Sequence, residues 1–234
     1  DKKKFLNISQ IIGVSNTPSV RFPGIANFVA SYLNLENVHC INLNSGCTGY
    51  VDALILASNF INNNNKSKIL IVTSDTYTKY IDQKNRNIRP LFSDGASASI
   101  IKFDKKGFKI TQQKTKNIPG TQNDLIFKGK NIEMNGPSVV AFAIKNVIPE
   151  ITKMIKNVDY IFVHQAGKIV INLLKINLPI KHFIPENYAK YGNLVSTSIP
   201  VLLKENYLKL KKGKKIIICG FGVGLSMTLI KLEK

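Results

Sequence analysis

The sequence predicts an α/β fold made of two pseudo-repeated halves, with mixed, mostly parallel sheets flanked by helices. Three observations predict it. Strand-like and helix-like stretches alternate along the chain, the order that parallel strands with crossover helices require. The runs at 68–73 and 159–163 are short and continuously apolar, as in strands covered on both faces. A helix–strand–strand order occurs twice, once in each half, and such self-similarity favours a layered pseudo-symmetric fold over a plain doubly wound sheet.

Taken in order, residues 9–15 read as a strand. Pro23 opens a helical pattern with Ile25, Phe28, Val29 and Leu33 on one face. Residues 38–43 alternate as a strand, and a helix runs from Cys47 to about Ile61. The strand at 68–73 is followed by a polar stretch, 75–91, without clear periodicity. It is longer than a usual connection, which marks it as a candidate functional loop. Strands follow at 96–103 and 108–112. Residues 113–136 read as irregular, with Pro119-Gly120 and Asn135-Gly136 as turn signals. Pro137 starts a long helix to about Lys156, which Pro149 is expected to kink or divide.

Next come a buried strand at 159–163, a helix at 167–176, a short strand at 181–184 and a turn-rich segment ending at Gly192-Asn193. A helix to about Leu208, a strand at 215–219, a turn at 221–224 and a strand at 225–232 complete the chain. From residue 107 this reads βαβαβαββ, whereas the first half reads βαβαββ. Residues 1–106 and 107–234 are therefore the expected halves, the first lacking one leading βα unit.

Composition narrows the function. The chain has 234 residues, 44% of them hydrophobic, enough for a large buried core. No apolar run reaches the ~20 residues of a membrane span. The opening Asp1-Lys2-Lys3-Lys4 does not lead into the apolar core of a secretory signal, so a cytoplasmic location is expected. The net charge is +19, but Arg occurs only at 21, 86 and 89. Arg is the usual residue for reading bases and gripping phosphates, so its scarcity speaks against nucleic-acid binding. Cys40, Cys47 and Cys219 match neither a disulfide framework nor a zinc pattern, and no metal is expected. Cys40 and Cys219 lie in strand-like apolar runs and read as buried hydrophobes.

Four places carry candidate chemistry. Cys47, in Asn44-Ser45-Gly46-Cys47-Thr48-Gly49-Tyr50, sits where a strand turns into a helix. The unpaired N–H groups of a first helical turn favour thiolate over thiol, which makes Cys47 a candidate nucleophile. The alternative is a small buried residue at a tight turn. His164 follows a buried strand at its carboxyl end, where ligand sites of open α/β sheets lie. A lone histidine in such a place is more often a satisfied structural residue, and His39 and His182 read as structural. Asn193 is either a functional amide or a helix N-cap. Phe221-Gly222-Val223-Gly224 is either a hairpin or a turn that points N–H groups at an oxyanion.

Ser45-Gly46-Cys47-Thr48-Gly49, Leu91-Phe92-Ser93-Asp94-Gly95-Ala96, Met134-Asn135-Gly136, His164-Gln165-Ala166, Gly192-Asn193 and Gly220-Phe221-Gly222-Val223-Gly224 occur in this order. Together they resemble β-ketoacyl-acyl carrier protein synthase III over essentially the whole chain. The resemblance implies the thiolase fold, two βαβαβαββ units in a layered αβαβα arrangement. It implies Cys47 as the acylated nucleophile, and His164 Nε2 and the Asn193 amide as the pair that assists decarboxylation. The backbone N–H groups of Cys47 and Val223 would form the oxyanion hole. Gly222, Phe221, Phe92 and Lys168 would contact substrate.

The implied reaction is a decarboxylative Claisen condensation of an acyl-CoA with malonyl-acyl carrier protein, in fatty-acid initiation or a specialised pathway. It needs no metal or redox cofactor. Coenzyme A and phosphopantetheine-carrier thioesters are substrates, acyl carrier protein is a partner, and a homodimer is expected. The rivals are acyl transfer from Cys47 to a hydroxyl or amine, and a non-catalytic paralogue of the same fold. Two departures stand out. Gly167 replaces the family's usual Asn after His-Gln-Ala, which puts the placement of His164 in question. Ser93 and Ser97 replace small glycines around Asp94-Gly95-Ala96.

Overall fold

A computed structural model of the chain describes residues 7–179, 183–210 and 213–234. The opening lysines, His182 and the first half of the strand expected at 181–184 lie outside the described residues, although Phe183 forms a parallel bridge with Tyr160.

The first half contributes β1 (Ile8–Val14), α1 (Ile25–Tyr32), β2 (His39–Leu43), α2 (Gly49–Asn63), β3 (Lys68–Asp75) and β4 (Gly95–Lys102). The second contributes β5 (Lys109–Asn117), β6 (Leu125–Lys128), β7 (Asn131–Met134), α3 (Gly136–Phe142), α4 (Ile148–Met154), β8 (Tyr160–Val163) and α5 (Lys168–Asn177). It continues with α6 (Tyr188–Tyr191), α7 (Ser198–Asn206), β9 (Lys215–Gly222) and β10 (Ser226–Glu233).

Among the described residues the strands form two four-stranded sheets, β2-β1-β3-β4 and β5-β10-β9-β8, and a β6-β7 hairpin. In the first sheet β1 runs parallel to β2 and β3, with Ile12 opposite Ile41 and Ile71, and β4 is antiparallel to β3. In the second, β8 is parallel to β9, and β10 is antiparallel to both β9 and β5. Thus β3-β4 and β9-β10 are equivalent pairs, each preceded by a helix, α2 or α7. Beyond β10 lies β5, whereas β4 is the edge strand of its sheet.

Alternation along the strands divides the core into layers. Ile12, Val14, Ile69 and Ile71 of the first sheet face Ile216, Ile218, Ile230 and Leu232 of the second across α2 and α7. On the outer side of the first sheet, Ile11 and Leu70 pack against Ala26 and Ala30 of α1. On the outer side of the second, Ile217, Cys219, Met227 and Leu229 pack against α3, α4 and α5. The order is helix, sheet, paired helices, sheet, helices. Most strand positions in the middle have both neighbours buried, which is why those segments read as continuous apolar runs.

Several elements differ from the sequence expectations. The buried face of α1 is carried by Ala26 and Ala30, and Phe28 is half exposed, because close packing on β1 selects the small residues. Strand β5 extends to Asn117 and the β6-β7 hairpin follows, in a region that reads as irregular. Their stretches are rich in Lys, Gln and Asn because β5 is a solvent-facing edge strand, which lacks the apolar signature. The long helix divides into α3 and α4 around a π-helical turn, Ala143–Val147. Pro149 has no N–H to donate, and the widened turn absorbs the missing bond. Strand β9 runs through Phe221 and Gly222, so the turn between β9 and β10 is only Val223–Leu225. Among the described residues no helix is long and apolar enough to cross a membrane.

Candidate active site

The chain leaves β2 at Leu43 and forms a 3₁₀ turn, Gly46–Thr48, before α2 begins. Gly46 adopts φ +55°, and a Cβ there would meet Asn16 Oδ1 at 2.4 Å and Val223 Cγ2 at 2.9 Å. The Thr48 hydroxyl donates to Asp52 Oδ2 at 2.7 Å, and Thr228 on β10 donates to Asp52 Oδ1 at 2.6 Å. The turn is thereby tied to the second sheet. Strand β9 closes over it: a Cβ on Gly220 would fall 2.5 Å from the Cys47 carbonyl oxygen, and one on Gly222 would fall 2.7 Å from Cys47 Sγ.

Cys47 is buried, with Tyr77, Ile81, Ile88, Phe92 and Val195 in one apolar cluster around it. The backbone N–H groups of Val223 and Cys47 hydrogen-bond to its sulfur. Burial nevertheless pushes the thiol up to about 12, and the charge of Asp75 adds to the rise. The helix N-terminus therefore does not hold a resting thiolate, contrary to the sequence expectation. Two N–H donors do not replace the hydration an anion loses in an apolar cluster.

His164 follows β8 directly. Its backbone N–H donates to the Cys219 carbonyl at 2.9 Å, and its ring meets Phe221 edge-on with centroids 5.7 Å apart. Burial holds the imidazole down at about 4, with a backbone hydrogen bond to Val195 opposing, so it is neutral at physiological pH. Its Nδ1 meets no hydrogen-bond partner among the described residues. Gln165 anchors the segment, donating to Val163 O at 2.9 Å and accepting from Asn187 N–H at 3.0 Å. Gly167, where the family has Asn, is the N-cap of α5, and a Cβ there would lie 2.7 Å from Leu91 Cδ1. Gln165 and the Cys219 bond hold His164 without an Asn at 167.

Asn193 is buried and pairs with the loop that carries Phe92. Its N–H donates to Leu91 O at 2.9 Å, and Ser93 N–H donates to Asn193 O at 2.9 Å. Its side-chain Oδ1 accepts from Val195 N–H at 2.9 Å, which leaves the amide Nδ2 as the outward donor. Val195 thus links the whole site: it touches the Cys47 cluster, bonds to His164 and fixes the Asn193 amide.

The remaining sequence candidates separate. Phe92 lies in the Cys47 cluster, its ring 5.0 Å from that of Tyr77. Phe221 points to the outer core, where it supports the His164 ring rather than the space beside the sulfur. Lys168 is exposed at the start of α5. Ser97 donates or accepts with Thr73 at 2.8 Å, and the Ser93 side chain fills space beside Gly192, so both serines have structural partners. Sequence reasoning missed Asp75, Tyr77, Asn16 and Val195. The signal for Asp75 was its place at the carboxyl end of a buried strand; the others had none.

Residues 41–117 match the family described as 3-oxoacyl-[acyl-carrier-protein (ACP)] synthase III, and residues 152–233 match its C-terminal region. The chain is 31% identical to the β-ketoacyl-[acyl-carrier-protein] synthase III of Acholeplasma laidlawii, over 97% of this chain and 75% of that protein. It is 29% identical to the enzyme of the same name from Streptococcus agalactiae, over 94% of this chain and 75% of that one. The 3-oxoacyl-[acyl-carrier-protein] synthase III structure from Aquifex aeolicus superposes with a TM-score of 0.86 at 26% identity, covering 97% of this chain and 77% of that chain. The priming β-ketosynthase of the R1128 polyketide pathway superposes at 0.88 and 21% identity, a likeness of fold.

Two outcomes are expected from this geometry. Gly222→Ala places a methyl group against the sulfur at a backbone φ of 153°, so iodoacetamide should label Cys47 at least about tenfold more slowly than in the unchanged protein. Equal labelling rates would show that β9 does not press on the thiol. The second concerns pH. His164 has a folded-state pKa near 4 against an ordinary 6.5, so the unfolded chain binds the extra proton and stability falls as pH drops through that window. Between pH 7.5 and 5, His164→Gln should lose about 2 kcal/mol less stability than the unchanged protein, measured by denaturant midpoints.

Proposed function

This chain belongs to the 3-oxoacyl-[acyl-carrier-protein] synthase III family of acyl-condensing transferases, and on that premise we propose that it joins an acyl-CoA to malonyl-acyl carrier protein through an acyl-Cys47 intermediate. The observation that carries the reading is the pair of uncharged hydrogen-bond donors gathered by Val195. Asn193 has its Oδ1 occupied, which leaves its Nδ2 as the donor, and His164 is neutral, its one ring N–H resting on the Val195 backbone until an enolate oxygen takes that bond. Two neutral donors in a water-poor site suit an enolate oxygen, whose charge appears only as the reaction proceeds.

In the first step the Cys47 sulfur bonds to the acyl carbonyl carbon, and the coenzyme A thiolate leaves with the sulfur's proton. The thiol is neutral at rest, so deprotonation accompanies attack. The N–H groups of Cys47 and Val223, already directed at the sulfur, stabilise the tetrahedral oxyanion. In the second step malonyl thioester loses carbon dioxide, and the electron pair of the broken bond becomes the enolate held by His164 and Asn193. Its carbon attacks acyl-Cys47, forming the carbon–carbon bond. The Cys47 thiolate is expelled and regains a proton, and a β-ketoacyl thioester is released.

Phe92 and the residues clustered with it supply the apolar wall for the acyl group. The charge of +19 suits an acidic carrier protein and the phosphates of coenzyme A. A homodimer has separate support. Strand β2 is an edge strand among the described residues, and Phe22 and Tyr32, which bracket α1 ahead of it in the chain, are 85% and 89% exposed. Antiparallel pairing of β2 with β2 of a second copy, about a two-fold axis, would satisfy that edge and cover those rings.

Incubation with acyl-CoAs should add the acyl mass to the protein but not to Cys47→Ala. His164→Ala and Asn193→Ala should still acylate, yet release carbon dioxide from malonyl thioester about 10²–10³ times more slowly. Acylation without carbon dioxide release in the unchanged protein would point to transfer onto a hydroxyl or amine instead. In sedimentation the protein should run as a dimer at micromolar concentration and Tyr32→Asp should shift it toward monomer. A monomeric unchanged protein would remove the β2 pairing.

A further inference from the structure

Asp75 ends β3 and is buried, yet the condensation assigns it no role. Its carboxylate ties two other segments of the chain to β3. Oδ1 accepts from Asn16 N–H at 2.8 Å and from the Thr17 hydroxyl at 3.3 Å. Oδ2 accepts from the Ser196 hydroxyl at 2.5 Å. The Ser196 backbone N–H also donates to the carboxylate. Thr17 is itself oriented, because its oxygen accepts from Thr76 N–H at 2.7 Å and so has its proton free for Asp75. Burial pushes the carboxyl up, and these donors oppose the rise.

Ser196 lies in the 3₁₀ turn Val195–Thr197, the counterpart of the Gly46–Thr48 turn that carries Cys47. The two turns match in conformation: Gly46 has φ +55° and Val195 has φ +52°. Asp75 and Gly222 are likewise counterparts, each the last residue of an eight-residue strand and each set against the middle residue of a turn. A β-branched residue at positive φ is strained, so Val195 stays there only because its surroundings hold it. Asp75 grips the next residue on one side, and Asn193 Oδ1 accepts the Val195 N–H on the other.

We propose that Asp75 is a positioning residue for the decarboxylation step, holding the Val195–Thr197 turn so that the Asn193 amide and His164 keep their places. It acts through Ser196 and touches neither substrate nor the reacting atoms. Releasing the turn lets Val195 relax to negative φ, which withdraws its N–H from Asn193 Oδ1 and frees the amide to rotate. The Cys47 turn is held by β9 and by the Asp52 hydrogen bonds, and the Asp75 charge is a smaller cause of the raised thiol than burial, so acylation changes little. The inference rests on the condensation described above, and its test separates the two.

Acylation of Cys47 by acyl-CoA and carbon dioxide release from malonyl thioester are measured separately, the first by intact mass and the second by trapped carbon dioxide. Asp75→Asn and Ser196→Ala should each slow carbon dioxide release at least about tenfold while changing the acylation rate less than about threefold. The double variant should be no worse than about twice the poorer single one, because both remove one contact. Asp75→Asn/Val195→Gly should regain part of the lost rate, since glycine holds positive φ without strain. Equal losses in both steps, full additivity, or unchanged carbon dioxide release would overturn the proposal. Ser196→Ala removes no charge and keeps the test available where Asp75→Asn fails to fold. Absence of acylation in the unchanged protein would count against the condensation itself, not against the role of Asp75.

Discussion

The site depends on one close approach, that of strand β9 to the turn carrying Cys47. The turn belongs to the first half of the chain and the strand to the second. Gly220 and Gly222 leave no side chain between them and the turn, where a Cβ would lie 2.5 Å from the Cys47 carbonyl and 2.7 Å from its sulfur. That contact brings Val223 N–H onto the sulfur. It also places Phe221, on the opposite face of the same strand, beneath the His164 ring. Alternation of neighbours along one strand therefore serves Cys47 and His164 from its two faces.

Burial decides the protonation states of those groups. A helix N-terminus lowers a thiol pKa when the thiol keeps some hydration, but Cys47 is enclosed by Tyr77, Phe92 and Val195. Desolvation raises the thiol and lowers the imidazole, so both rest uncharged. A site with two neutral partners avoids storing an ion pair in an apolar pocket, which costs several kcal/mol per ion. In the proposed condensation such a site admits an acyl thioester without displacing a charge, and its N–H donors would engage the oxyanion and enolate as these form.

The two halves repeat a backbone plan and diverge in chemistry. Both have a 3₁₀ turn with positive φ, a helix running from it, and a strand end set against it. One turn presents Cys47 beneath a glycine and the other presents Ser196 to a carboxylate. The first arrangement leaves the Cys47 sulfur without a side chain from β9 against it. The second locks its turn and, through Val195, the amide of Asn193. The halves differ at two equivalent places, Cys47 against Ser196 at the turn centres and Gly222 against Asp75 at the strand ends.

The sequence by itself determined the order of elements, the repeat of helix, strand and strand, and the positions of Cys47, His164 and Asn193. Each has a local cause: apolar periodicity, glycine at turns, and a polar residue after a buried strand. The polar edge strand β5 and the β6-β7 hairpin escaped that reading, because exposed strands carry no apolar run. Only the tertiary structure decided that Phe221 supports a ring rather than facing the sulfur, that Cys47 rests as a thiol, and that Asp75 and Val195 join the site. Those facts arise from contacts between residues as far apart as Asp75 and Ser196. Desolvation and packing at such contacts depend on what the fold brings together, which no local pattern records.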